Sequence, residues 1–112
     1  MMSNEIKIKE ETTIFGKVWY ISNSNFKFAI YRYDDDPKTI YLSNVFVNEN
    51  SRKQGNGNQI LNFVDGMAEG FAANTIILKA NKQDFVHDWY KRHGYVDYEE
   101  DFDNYIWMKK TI

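Results

Sequence analysis

The chain has no cysteine, which excludes disulfides, thiolate metal sites and a cysteine nucleophile. Histidine is nearly as scarce. His87 and His93 are the only two, and a separation of six on one short segment is poor spacing for a metal pair on a helix. No metal is therefore expected. A net charge of −2 lacks the positive excess of a generic binder of nucleic acid or anionic membrane. No apolar run approaches the roughly 18 residues of a membrane span, and the polar opening MMSNEIKIKEE lacks the apolar stretch of a signal peptide. A soluble, cytoplasmic protein is the expectation. Repeats, linkers and low-complexity segments are also missing, so residues 1–112 read as one domain with one core. Aromatics make up 17% of the chain, and Tyr, Phe and Trp are expected to fill much of that core.

The first half reads as strands. In EIKIKEETTIF, Ile6 and Ile8 alternate with charged residues, a period of two. KVWYI and FKFAIYRY are β-branched and aromatic runs joined by the turn Ser22-Asn23-Ser24-Asn25. The turn Asp34-Asp35-Asp36-Pro37 leads into a fourth strand, IYLSNVFV. Its adjacent aspartates lack the alternating ligand spacing of a calcium loop. From Gly57 the period changes. Ile60, Leu61, Val64, Met67, Ala68 and Phe71 recur at three and four, one apolar face of a helix. Gly66 and Gly70 weaken that helix and predict close packing or an early end there. TIILKA is a buried central strand. DFVHDWYKRHGY is a helix that opens at Asp84 as N-cap and stops at Gly94 after Lys91, Arg92 and His93. Phe85 and Trp89 on it read as core. YVDYEE and NYIWMKK close the chain as a hairpin. The predicted order is four strands, helix, strand, helix, two strands.

Between the fourth strand and the first helix lies Arg52-Lys53-Gln54-Gly55-Asn56-Gly57. Glycines there let successive N–H groups converge on one point, a concavity for an anion. The helix N-terminus adds partial positive charge at the same place. Arg52 supplies a further donor, and phosphate is the natural guest. A Walker loop would need Gly-Lys-Ser/Thr, but Asn58-Gln59 follows Gly57. A dinucleotide fingerprint would need a third glycine where Ile60 stands.

What remains, R-x-x-G-x-G behind Val45-Phe46-Val47, resembles the pyrophosphate-binding segment of the GNAT superfamily of acyl-CoA N-acyltransferases. A second stretch, DWYKRHGYV, is similar to the superfamily's aromatic helix ending in Tyr-x-x-x-Gly-aromatic, matched by Tyr90, Gly94 and Tyr95. One helix and one buried strand separate the two, and together they span residues 40–95. The resemblance implies an α/β (α+β) fold with a mixed, mostly antiparallel sheet of six to seven strands and two main helices. It is a reduced form, because no room exists between the first two strands for the two helices that usually wall the acceptor site.

The resemblance also implies acetyl-CoA as cosubstrate, an acetyl transfer to a primary amine in a ternary complex, and roles for particular residues. Arg52, Lys53, Gln54, Gly55, Asn56, Gly57 and Asn58 would hold the diphosphate. Backbone groups of Phe46 and Val47 would pair with the pantetheine arm as an added strand. The N–H near Val47 would hold the oxyanion. Gln83, or Asn81 beside it, stands where the family often has an asparagine that reaches the pantetheine. Tyr90 would protonate the leaving thiolate, since a thiol near 8.5 and a tyrosine near 10 differ little. No general base is evident. IYLSNVFV carries no carboxylate, which leaves Glu49 or a water relay, while His87 and His93 read as helix-surface residues. An open acceptor side suits an amine presented by another protein, and Glu99, Glu100, Asp101 and Asp103 could attract a basic partner. The other reading is a module of the same fold that binds acyl-CoA or a protein without turnover.

Overall fold

A computed structural model describes residues 5–49 and 55–112. Nine elements follow in the predicted order: β1 (Lys7–Thr12), β2 (Gly16–Ser22), β3 (Phe26–Tyr33), β4 (Thr39–Val47), α1 (Asn56–Gly70), β5 (Thr75–Asn81), α2 (Phe85–Arg92), β6 (Val96–Glu100) and β7 (Tyr105–Thr111). The strands form one sheet in the order β1-β2-β3-β4-β5-β7-β6. Every pairing is antiparallel except β4 with β5.

Local chemistry explains the turns. Asn23 Oδ1 accepts from the amides of Asn25 at 2.8 Å and Phe26 at 3.0 Å. This is an Asx turn that a Ser-Asn sequence readily makes. Only Thr13, Ile14 and Phe15 separate β1 from β2, so no helix intervenes there.

α1 and α2 both pack on one face of the sheet. Trp19, Ile21, Phe28, Ile30, Ile40, Leu42, Ile76, Leu78, Ile106 and Met108 meet Ile60, Leu61, Val64 and Ala68 of α1 and Tyr90 of α2 in one buried cluster. The side-chain alternation of each strand sends the other residues to the opposite face, which carries no helix among the described residues. Tyr20, Tyr31, Tyr33, Tyr41, Phe46, Tyr98, Tyr105 and Trp107 share that bare face by register and by contact. Tyr31 and Tyr41 rings lie 5.8 Å apart, and Tyr41 and Trp107 rings 5.5 Å apart. The aromatic content is therefore divided: Trp19, Phe26, Phe28, Tyr90 and Tyr95 fill the core as expected, and a second set lies on the bare face. Val18 and Ala29 are buried among these rings.

Three further expectations are revised. Phe85 is 74% exposed, because it opens α2 on the side away from the sheet, while Trp89 packs at the margin of the core. Asp84 occupies the N-cap position of α2, but its side chain makes no capping bond. Gly66 meets no close neighbour, nor does Gly70, which is the last residue of α1. The early-end reading thus holds for Gly70, and close packing holds for neither. Among the described residues no helix is long and apolar enough to cross a membrane.

Candidate active site

The site begins where β4 and β5 part. Thr39, Ile40 and Tyr41 pair with Thr75, Ile76 and Ile77, and there the pairing stops. β5 continues on β7 to Asn81, while β4 continues on β3 to Val47. A V-shaped opening results, edged on one side by residues 42–47. Within that edge Asn44 takes a left-handed φ of 56°. The register with β3 slips between Lys27 and Ala29, a β-bulge that bends the strand. The amide of Asn48 donates to the Asn25 carbonyl at 2.8 Å. Strand amides alternate in direction, so the N–H and C=O of Val47 project toward the opening, and those of Phe46 toward β3. Phe46 thus lines the edge with its ring on the bare face.

At the mouth of the opening α1 starts. Gly55 takes a left-handed φ of 80°, and its carbonyl accepts from the Gln59 amide at 3.0 Å. The amides of Gly57 and Asn58 precede the first intrahelical donor and face out of the helix end. Asn56 is buried. Arg52, Lys53 and Gln54 lie outside the described residues. A methyl group at Gly57 would sit 2.8 Å from Trp89 Cζ2, so this glycine is required for the first turn of α1 to lie against α2. His93 ties the same two elements. Its Nδ1 is 2.8 Å from the Trp89 carbonyl and its Nε2 2.9 Å from Asn58 Oδ1. The sequence reads His93 as a helix-surface residue, whereas here it bridges α2 and α1. Its partner 35 positions away has no local signal.

α2 brings Tyr90 to this junction. Its ring meets Trp89 at 5.0 Å and Tyr95 at 5.6 Å. Gly94, with φ 94°, turns the chain so that the Tyr95 amide reaches the Tyr90 carbonyl at 3.1 Å and the Tyr95 ring folds beneath Tyr90. That is the physical content of the Tyr-x-x-x-Gly-aromatic pattern. Burial pushes the Tyr90 hydroxyl up to about 12, and burial, then Asp65, then Tyr90 push Tyr95 higher still. Gln83 is exposed in the turn before α2, and its amide donates to Asn81 Oδ1 at 2.9 Å, which engages Asn81 locally. Glu49 is exposed beyond the end of β4. His87 pairs with Asp97 at 2.8 Å, on the far side of α2 from His93. The acidic turn is partly occupied, Glu100 by Lys82 at 3.0 Å and Asp101 by Lys79 at 3.5 Å. Among the described residues no cluster of three or more His, Asp or Glu could hold a metal ion.

The geometry thus joins an opened strand pair, a helix N-terminus at its mouth and a buried tyrosine beside it. Residues 14–97 match the model of the acetyltransferase (GNAT) domain, and the chain belongs to that family. No curated protein matches the sequence. Among solved structures the fold is similar to the IAA acetyltransferase of Bacillus cereus ATCC 14579, with a TM-score of 0.74 at 12% identity, covering 96% of this chain and 100% of that one. It is similar also to a GNAT family acetyltransferase from Elizabethkingia anophelis with acetyl-CoA bound, with a TM-score of 0.72 at 15% identity and coverage of 98% and 100%. The PaiA N-acetyltransferase of Thermoplasma acidophilum, in complex with coenzyme A, matches with a TM-score of 0.71 at 11% identity, over 85% of this chain and 60% of that one. At these identities the likeness is one of fold.

Proposed function

We propose that the chain is an N-acetyltransferase that moves an acetyl group from acetyl-CoA to a primary amine on a protein, by direct transfer in a ternary complex. The observation that carries this is the parting of β4 from β5 with the α1 N-terminus and the Tyr90 helix at its rim. An extended pantetheine needs an exposed strand edge, and β4 beyond its pairing with β5, residues 42–47, would supply one, with the Phe46 ring beside it and not its backbone groups. The diphosphate needs converging amides, and Gly57 and Asn58 offer them, with Arg52, Lys53, Gln54, Gly55 and Asn56 completing the loop. Gln83, exposed in the turn between β5 and α2, would reach for the pantetheine amides.

In the step itself the amine nitrogen bonds to the thioester carbonyl carbon, and the carbonyl electron pair moves onto oxygen. A β4 N–H near Val47 would hold that oxygen, and one such donor is typically worth about 3 kcal/mol. Collapse breaks the carbon–sulfur bond. Tyr90 then meets a thiolate, and a tyrosine near 12 lies about 3.5 units above a thiol, so complete transfer is uphill by roughly 5 kcal/mol. Tyr90 therefore acts first as a hydrogen-bond donor to the departing sulfur. The surplus proton of the amine leaves through water or Glu49.

The absence of a carboxylate on β4 favours a second reading, a module that binds acyl-CoA without turnover. Calorimetry with coenzyme A and thioester consumption with a panel of lysine-bearing peptides of acidic, neutral and basic composition separate the two. Binding with consumption supports the enzyme, binding without it supports the module, and no binding overturns both.

A further inference from the structure

The bare face of the sheet holds an open concavity of about 600 Å³ beside the β4 bulge, lined by Tyr20, Ser22, Lys27, Ala29, Asn44 and Val45 among others. Lys27 is the single charged residue of that lining. Its ammonium lies 5.4 Å from the centre of the Phe46 ring, on the edge that the reading above assigns to the pantetheine. α1 and α2 pack on the helix side of the sheet. A nucleophile that approaches a thioester in the opening from the bare face passes this concavity.

The neighbouring strand β1 adds lysines beside the concavity. Register places Lys7 directly across from Ser22, and Ser22 directly across from Lys27, so two ammonium groups bracket one hydroxyl on a single face. Lys9, across from Tyr20, is engaged by Glu11 at 3.1 Å and adds little. Glu5, two residues before Lys7, already has a partner, and Glu11 is held by Lys9. The acidic turn stands at the opposite end of the sheet, next to β6, where Lys82 and Lys79 take two of its carboxylates.

We infer that this face docks an acidic polypeptide segment, whose carboxylates meet Lys27 and Lys7 while its amine enters the opening. The inference rests on the acetyltransferase reading and reverses the basic partner suggested by the acidic turn. Like-charged acceptors, rich in lysine or arginine around the target amine, would bring cations against Lys27 and be disfavoured.

The test uses three end-blocked peptides of equal length, each with a single lysine flanked by aspartates, asparagines or arginines. Binding to the full chain saturated with coenzyme A is measured by calorimetry, and acetyl transfer by mass spectrometry. The aspartate peptide should bind about tenfold or more tightly than the asparagine peptide and the arginine peptide least, with the preference shrinking as salt rises. Lys27→Glu should erase or invert that order, its unchanged affinity for coenzyme A showing that it is folded. Equal binding of all three peptides, a preference for arginine, or an unchanged order in Lys27→Glu overturns the inference. So does efficient acetylation of free amino acids with none of the peptides bound. Ranked binding without transfer to any peptide upholds the docking surface and sinks the catalytic reading instead.

Discussion

Tyr90 carries two demands that pull against each other. Its ring is buried between Trp89 and Tyr95, which fixes its position, and the same burial raises its hydroxyl to about 12. A neutral acid with a raised value stays protonated over the whole working range. An acid role for Tyr90 therefore predicts no alkaline loss of kcat near pH 10, where an ordinary tyrosine would titrate. Tyr90→Phe keeps the packing and removes the hydroxyl, so kcat should fall by roughly 10²-fold while coenzyme affinity stays the same. Equal turnover would return Tyr90 to packing alone. The shift has a consequence for stability as well. The unfolded chain loses the Tyr90 proton near pH 10 and the folded chain near 12, so the folded form binds more protons between those values. Stability is fully present below pH 10 and is lost as pH rises toward 12, by about 3 kcal/mol for Tyr90 alone. Urea midpoints across that window should fall for the natural chain and fall less for Tyr90→Phe. Parallel slopes would show that the hydroxyl is solvated.

The contact between α1 and α2 turns on Gly57 and Trp89. An added Cβ at 2.8 Å from the indole forces the ring or the helix to move. Gly57→Ala should thus destabilise by about 1–3 kcal/mol despite alanine's better helix propensity. Trp89→Leu removes the obstacle, so the double variant should lose less than the sum of the singles. Additivity in thermal melts would show that the helices do not meet there. This pair also shows what the sequence could convey. The strands were legible because alternation is local, and β1 to β4 fall where EIKIKEETTIF, KVWYI, FKFAIYRY and IYLSNVFV put them. Both helices were legible from their period and from Gly94. The reason for Gly57 was not, because a phosphate loop and a close helix crossing ask for the same missing side chain. Phe85 was misplaced for a related reason: an apolar residue at a helix start carries no sign of which way it faces. The His93–Asn58 bond and the aromatic bare face needed the tertiary arrangement, since alternation says that two faces exist and not which one is covered.

The family assignment was available from two short stretches 30 to 40 residues apart, yet what makes them one site is the three-residue limit on the pairing of β4 with β5. That parting leaves residues 42–47 beyond the reach of β5 in a sheet whose other neighbours pair along most of their length. A ligand that adds hydrogen bonds along the edge and charge at the α1 end should therefore stabilise the whole chain. Linkage puts the gain at about 2.7 kcal/mol when the ligand stands at 100 times its Kd. For a domain near this size that is a rise in Tm of roughly 10 °C. Hydrogen exchange should slow together at Val47, Gly57 and Asn58, and little at β1 or β6, which lie at the two outer edges. Coenzyme A should act like acetyl-CoA, because both carry the diphosphate and pantetheine, whereas adenosine lacks them and should not. A rise with adenosine alone, or protection spread over the outer strands, would place the ligand elsewhere. No rise with millimolar acetyl-CoA would mean that the opening is a feature of the fold without a coenzyme to fill it.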